Sequence, residues 1–434
     1  MKSFVKYYLF FLVITGAWAS NFSLVNEQRI LEIVKIDDPV ERHDSLRCLA
    51  IDLATKDAAA AFKLVLKIKD PEDRAAFSDS VLRRWGSLDP QAALDASNQY
   101  PVDGEKRSHA IASVLGGWAI TNPNDAIAWV ETYLKGQNRR AALGSISVSW
   151  ARTQPLHAAR WAVKLPNRME VVSVLGVIME KWAYVMPADA AEWASRISEQ
   201  GMKDLMVSKV LFRWADFYPL EAAKWLADHP LENWLLPRVA ARWGRIDPHA
   251  AIQWIEKQPQ TALMESCKSA MAAEWAYYSP EAAYNWVGQN VGGDLKQSSQ
   301  AEIIETWTSD YPRECLVWSQ GVKDPEERAR VAKQITSSWA RNDRNEFQKW
   351  LEHQPDGALK DIAIKSLADL ISQSEPENAL NTLLQIKDDA VKEANIIKMF
   401  LDWKSTEPAN AEKWLAAHPA FKAIMPSDQT KPKN

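Results

Sequence analysis

A chain of 434 residues with 47% hydrophobic residues has ample material for a large core, and only 15 glycines argue against a turn-rich β fold. The formal net charge is −4, from 52 basic and 56 acidic residues with no basic block, which makes nucleic acid a poor partner. Three cysteines far apart (Cys48, Cys267, Cys315) exclude a disulfide framework, and 21 tryptophans demand an explanation.

The first residues have the pattern of a secretory signal. Lys2 and Lys6 precede the apolar stretch 7–16, and Ala17-Trp18-Ala19 is a small-x-small cleavage site. The expectation is a signal peptide over 1–19 and a secreted or periplasmic protein beginning at Ser20. The apolar stretch is too short to span a bilayer comfortably, so no stable membrane insertion is expected after cleavage. Loss of two lysines leaves 50 basic and 56 acidic residues, a charge of −6. Residues 20–39 are assigned to an N-terminal cap, with a helix over 24–36.

From residue 40 to 419 one unit recurs about twelve times. One apolar slot is filled at Leu53, Trp85, Trp118, Trp150, Trp182, Trp214, Trp243, Trp275, Trp307, Trp339, Ile371 and Trp403. The spacing is 32 residues, with one interval of 33 and one of 29. Five residues later stands Pro, as at Pro187, absent only at Ala58 and Arg344. Three residues beyond that stands Ala in ten of twelve repeats, as at Ala190, and three further on a second Trp, as at Trp193 and Trp225. Upstream of the first slot, position −4 is always apolar and its neighbours mostly so, the stripe of an amphipathic helix. Pro suits the first turn of a second helix, where its missing N–H has no partner to lose. The residue before it is forced extended, as an N-cap should be, and Asp89, Asn122, Asp247 and Ser279 are good caps there. Each unit is therefore a helical hairpin. Neither helix can bury its stripe alone, so the hairpins must stack. The fold class expected is an all-α solenoid of about twelve hairpins wound into a right-handed superhelix. Residues 420–434 form a polar tail.

The period, the Ala in the second helix, the following aromatic and the closing prolines (Pro166, Pro230, Pro259) resemble the tetratricopeptide-like superfamily of helical hairpins. The chain departs from it in having a 32-residue period, an aromatic three residues after the Ala, and the first Trp at a helix end. It is similar to exported Trp-rich repeat proteins of uncharacterised function. The resemblance implies architecture, and a surface that holds peptides or partner domains.

The Trp pairs (Trp182 with Trp193, Trp214 with Trp225) lie on apolar stripes and are expected as core packing and not as an aromatic ligand groove. Cys315 fills an Ala slot and Cys267 a buried-looking one, both as small hydrophobes. Eleven residues before the slot runs a basic ladder: Arg42, Arg74, Arg107, Arg139, Lys203, Lys296, Arg328, Lys360 and Lys392. It is expected to bond carbonyls at the end of the preceding hairpin. The alternative is a positive stripe for an acidic ligand. The repeat at Ile371 lacks both Trp, so its seam should be weaker. The break at 229–243 is three residues short and carries the one Trp outside the signal and out of register. Glu232, Asn233 and Trp234 are therefore the candidate ligand-binding residues, against a repacked loop in which Trp234 fills the lost turn. No HExxH, GxSxG, P-loop or GxGxxG occurs, and acidic pairs such as Asp37-Asp38 read as caps. No catalytic residue, metal or cofactor is assigned. The function expected is a non-catalytic exported scaffold that binds a protein or extended peptide on a concave face, with a glycan- or peptidoglycan-binding module as the alternative and an enzyme with an unrecognised site as the third.

Overall fold

The computed structural model describes residues 24–99, 104–422 and 424–425. Among them every regular element is a helix and no strand occurs. The signal assigned to 1–19 lies outside the described residues. The chain divides into two compact units, Met1–Phe217 and Tyr218–Asn434. Each is a stack of helical hairpins, an α-solenoid arrangement.

In the first unit a helix over 24–33 covers one end, with Ile30 buried in a cluster with Leu46, Leu49 and Phe77. The first helices of successive repeats, Pro71–Leu88, Gly104–Thr121, Gly136–Thr153, Arg168–Val185 and Gln200–Ala215, each pack on the next. The second helices, Pro90–Gln99, Pro123–Tyr133, Pro155–Ala162 and Pro187–Ser195, pack on their own first helix and on that of the next repeat. The second unit repeats this with first helices Leu236–Ile246, Ala262–Trp275, Gly293–Asp310, Pro325–Asn342, Ala358–Ile371 and Asp389–Thr406. The repeat that lost both Trp is the exception. Ala358–Ile371 and Asp389–Thr406 are held chiefly through Pro376–Leu383, which packs on both.

The hairpin corner turns at one extended residue, preceded by a short turn over 216–217, 276–278 and 372–374 and by helix at the other corners. At Asp57, Asp89, Asn122, Gln154, Met186, Tyr218, Asp247, Ser279, Tyr311, Asp343, Glu375 and Glu407 the backbone sits at φ between −155° and −133° and ψ between 58° and 96°. The helical ladder runs into and out of this residue. Met186 N–H donates to the Trp182 carbonyl at 2.8 Å, and the Met186 carbonyl accepts from Ala190 at 3.1 Å. One non-helical residue thus turns the chain without orphaning its backbone groups. Proline at the next position enforces the extended conformation. Where Pro is absent, an Asp side chain takes over: Asp57 Oδ1 accepts from Ala60 N–H at 2.9 Å and Asp343 Oδ1 from Glu346 N–H at 2.9 Å. Asp89, Asn122 and Asp247 cap as their types predict, whereas the Ser279 side chain makes no capping bond. The first hairpin, lacking Pro, reads as one helix, Pro39–Leu64, broken at Asp57.

The core follows the repeat. Position −4 is buried in all twelve repeats, and so is the small slot, including its substitutes Cys315 and Phe347. An Ala there lets two helices close to packing distance while larger side chains fill the flanks. The first Trp is buried at eight of its ten positions, with Trp118 and Trp307 half-buried. The Nε1 atoms of Trp150, Trp182 and Trp214 are buried without a hydrogen-bond partner, so the slot is filled for volume and not for the indole N–H. The second Trp differs from expectation. Only Trp414 is buried, while Trp129, Trp161, Trp193, Trp225, Trp254, Trp286, Trp318 and Trp350 are half-buried. The cause is the packing order: second helices rest on first helices rather than on one another, so one flank of each indole stays open. The two Trp of a repeat meet at a tilt, with centroids 5.6 Å apart for Trp150–Trp161 and 6.1 Å for Trp182–Trp193. First helices approach most closely at glycine: a Cβ on Gly117 would lie 1.9 Å from the Arg83 carbonyl oxygen, and one on Gly244 would lie 2.3 Å from that of Met271.

At the C-terminus, Pro419–Lys422 forms a short helix whose Phe421 ring lies 6.2 Å from Trp414. This helix straddles the boundary between the repeat domain expected to end at 419 and the tail expected over 420–434. No helix among the described residues is long and apolar enough to cross a membrane.

Candidate functional site

The short repeat places its three candidate residues apart in character. Asn233–Leu235 is a single 3-10 turn, followed by the helix from Leu236, one residue before Pro237. Leu235 and Leu236 are buried, while Trp234 is 46% exposed. Glu232 is buried, and its backbone N–H donates to the His229 carbonyl at 3.0 Å. Asn233 is half-buried. The preceding His229 ring stacks on Trp225, centroids 3.7 Å apart, with Nδ1 2.7 Å from the Trp225 carbonyl oxygen. His418 repeats this on Trp414, at 4.2 Å and 2.8 Å, so this histidine closes a helix end in both places.

Four residues of the basic ladder, Arg42, Arg139, Lys360 and Lys392, pair with acids. Arg42 and Arg328 donate to carbonyls of the segment before their own helices, Ile36 O at 2.7 Å and Val322 O at 2.9 Å. Arg42 Nε also reaches Asp73 Oδ1 of the next repeat at 2.9 Å, and Arg139 Nε reaches Glu170 Oε1 at 3.1 Å. Other carboxylates secure the loops: Glu265 accepts from Gly292 N–H at 3.0 Å, and Asp361 from Lys387 and Asp388 N–H at 3.0 and 3.2 Å. Hydrogen bonds from Lys268 and then Gly292 hold the Glu265 carboxyl below its ordinary range. The buried thiols of Cys267 and Cys315 are pushed up to about 12 by burial, consistent with packing roles.

The surface feature that stands out is at the hairpin corners. Residues two to four places after the first slot project from the one-residue hinge, and several are large aromatics. Tyr184, Phe217, Tyr218, Tyr277, Tyr278 and Tyr311 are each between 53% and 66% exposed. Five of the seven tyrosines among the described residues stand there. Side chains at a sharp corner have neighbours on one side only, so exposure follows from hinge geometry. Each unit thus carries exposed large rings at its own corners, an uncommon use of large apolar side chains.

Two of these corners are built differently. In the first unit, Tyr184 and Phe217 from adjacent repeats meet edge-on at 5.9 Å, and the Arg213 guanidinium lies 5.3 Å from one ring centroid and 4.9 Å from the other. Arg213 also pairs with Asp216 at 3.9 Å. In the second unit, the corners of the repeats at Trp275 and Trp307 leave an open groove of about 850 Å³. Tyr277, Tyr278 and Tyr311 line it with Glu281, Asp310 and Glu314, and its lining contains no Lys, Arg or His. None of the three carboxylates makes an ion pair among the described residues. Sequence pattern alone passed over this groove, although the adjacent Tyr277-Tyr278 and the nearby Tyr311 were its visible signal. No group of His, Cys, Asp and Glu that could hold a metal ion occurs among the described residues.

No family model and no curated protein matches the chain. Among solved structures it is similar to Kap121p, at 13% sequence identity and a TM-score of 0.27, over 93% of this chain and 49% of that one. The chain thus spans about half of that protein, and a likeness this distant says nothing of function.

Proposed function

We propose that the protein is a non-catalytic scaffold whose repeat corners hold a protein or extended peptide. The observation that carries this is the exposed aromatics at the hinges of each unit, Tyr184 and Phe217 in the first and Tyr218, Tyr277, Tyr278 and Tyr311 in the second. Stacked repeats present such positions at regular intervals, which suits a ligand of regular length such as an extended chain. Large rings give contact area at low entropic cost, and tyrosine adds a hydroxyl for hydrogen bonding. The broad face of the first helices near Ser266, Ser269 and Ala270 carries small side chains and offers few such anchors. On the sequence pattern of residues 1–19 the scaffold works in the periplasm or outside the cell.

The test is affinity capture from the source cells with two baits, the wild type and a variant with Tyr184, Phe217, Tyr278 and Tyr311 all changed to Ala. Proteins retained by the first and lost from the second support the reading. Equal retention by both would overturn it, and selective retention of a glycan polymer would favour the glycan-binding alternative.

A further inference from the structure

We infer that the groove of Tyr277, Tyr278 and Tyr311 receives the guanidinium or ammonium of a basic side chain, presented by an extended segment of a partner protein. This rests on the scaffold reading above and gives its partner a chemistry.

The first unit shows what such a corner holds. There Arg213, the residue immediately before Trp214, lies between the rings of Tyr184 and Phe217 with Asp216 beside it. A cation over aromatic faces with a carboxylate at hand is a favourable arrangement, and a guanidinium suits it by its flat shape and weak hydration. The groove of the second unit occupies the corresponding place between the repeats at Trp275 and Trp307. Tyr277 stands where Tyr184 stands, two residues after the slot. Asp310 stands where Phe217 stands. Thr306 stands where Arg213 stands, so the cation is missing from the chain itself. What remains is the aromatic and acidic half of the pair, enlarged by Tyr278, Tyr311, Glu281 and Glu314 around an open volume of about 850 Å³. Three carboxylates without a cation in the lining repel an acidic ligand and favour a basic one. The groove is open and lies at a corner, which admits a side chain from a passing extended segment.

Fluorescence anisotropy with the full chain tests this, using three labelled nonapeptides of equal length built on Gly-Ser-Arg, Gly-Ser-Gln and Gly-Ser-Glu triplets. The basic peptide should bind at least tenfold more tightly than the neutral one, and the affinity should fall with added salt. Asp310→Asn with Glu314→Gln, and separately Tyr278→Ala with Tyr311→Ala, should each weaken it about tenfold or more. Thr306→Arg should also weaken it by supplying the internal cation. Val317→Ser, at an exposed position outside the groove lining, should not. Unchanged circular dichroism melts confirm that the variants fold. Peptide binding that ignores charge or survives both double variants would overturn the inference and leave the scaffold reading standing. Absence of binding by all three peptides would overturn the inference. The scaffold reading is then decided independently by the capture experiment.

Discussion

Replacing Trp182 by Ala should cost far more than replacing Trp193, its partner in the same hairpin. Trp182 is buried, its Nε1 makes no hydrogen bond, and so its contribution is packing alone. A tryptophan removes about 150–250 Å² from water on burial, which at about 25 cal/mol per Å² corresponds to roughly 4–6 kcal/mol. Alanine retains part of that area and the cavity relaxes in part, so truncation of a buried Trp costs about 3–5 kcal/mol. Trp193 keeps one flank in solvent, and its truncation should cost about half as much, roughly 2 kcal/mol. Each repeat contacts only its neighbours, so the loss should be local. Hydrogen exchange is the suitable assay, because a long repeat array need not unfold in one step. Trp182→Ala should raise exchange across Arg168–Val185, Pro187–Ser195 and Gln200–Ala215, the helices that meet around it, with Trp193→Ala giving a weaker version of the same pattern. Equal effects of the two substitutions, or protection lost uniformly along the chain, would refute the layered packing.

Four further outcomes follow from the geometry. Gly117→Ala should destabilise its seam by about 1–3 kcal/mol, because its Cβ would meet the Arg83 carbonyl, whereas Gly144→Ala, with nothing within 4 Å, should be neutral or stabilising; equal melts would contradict the close approach. Asp343→Ala, at a corner without proline, should cost about 1 kcal/mol, and Met186→Ala, at a corner with proline and no side-chain cap, much less, as read by local exchange. In native protein at neutral pH one thiol, Cys48, should react with Ellman's reagent and all three after denaturation; a second native equivalent would contradict the burial of Cys267 and Cys315. Glu265 has a lowered folded pKa, so its contribution is present above its ordinary value of 4.5 and is lost as pH falls through the depressed one. Glu265→Gln should therefore lower stability near neutrality and flatten the acid limb of the denaturation curve below about pH 4, and an unchanged curve would count against it.

Much of the architecture was legible because one set of residues does one job in every repeat. The small slot, the position four before the Trp and the hinge residue keep their burial or their angles through all twelve repeats, even where Cys315 or Phe347 replaces the usual Ala and where Arg344 replaces the Pro after the hinge. Half-burial of the second Trp was not legible. A helical stripe says which face is apolar, and it does not say how many neighbours that face will find. The basic ladder announced itself by spacing, but its acids did not: Asp73 and Glu170 share one offset, twelve before their slots, which only Glu41 and Glu327 among the other repeats fill with an acid. The corner groove was hidden for a similar reason. Tyr277 and Asp310 are 33 residues apart, and the residue types just after the slot vary from Leu88 to Thr121 to Tyr311. Only the turn at the hinge brings adjacent corners into one groove. The motif's failure at Trp234 drew attention because it breaks a pattern, while the groove lies where the pattern is kept and its loop residues are free to change.

Photo-crosslinking inside the source cells tests the central claim most directly. A benzophenone amino acid placed at Tyr278 or Tyr311 should yield a protein adduct whose crosslinked peptide is basic, and one placed at Trp234 should yield none or a minor one. Adducts at Trp234 with none at Tyr278 and Tyr311 would contradict the account and return the site to the short repeat.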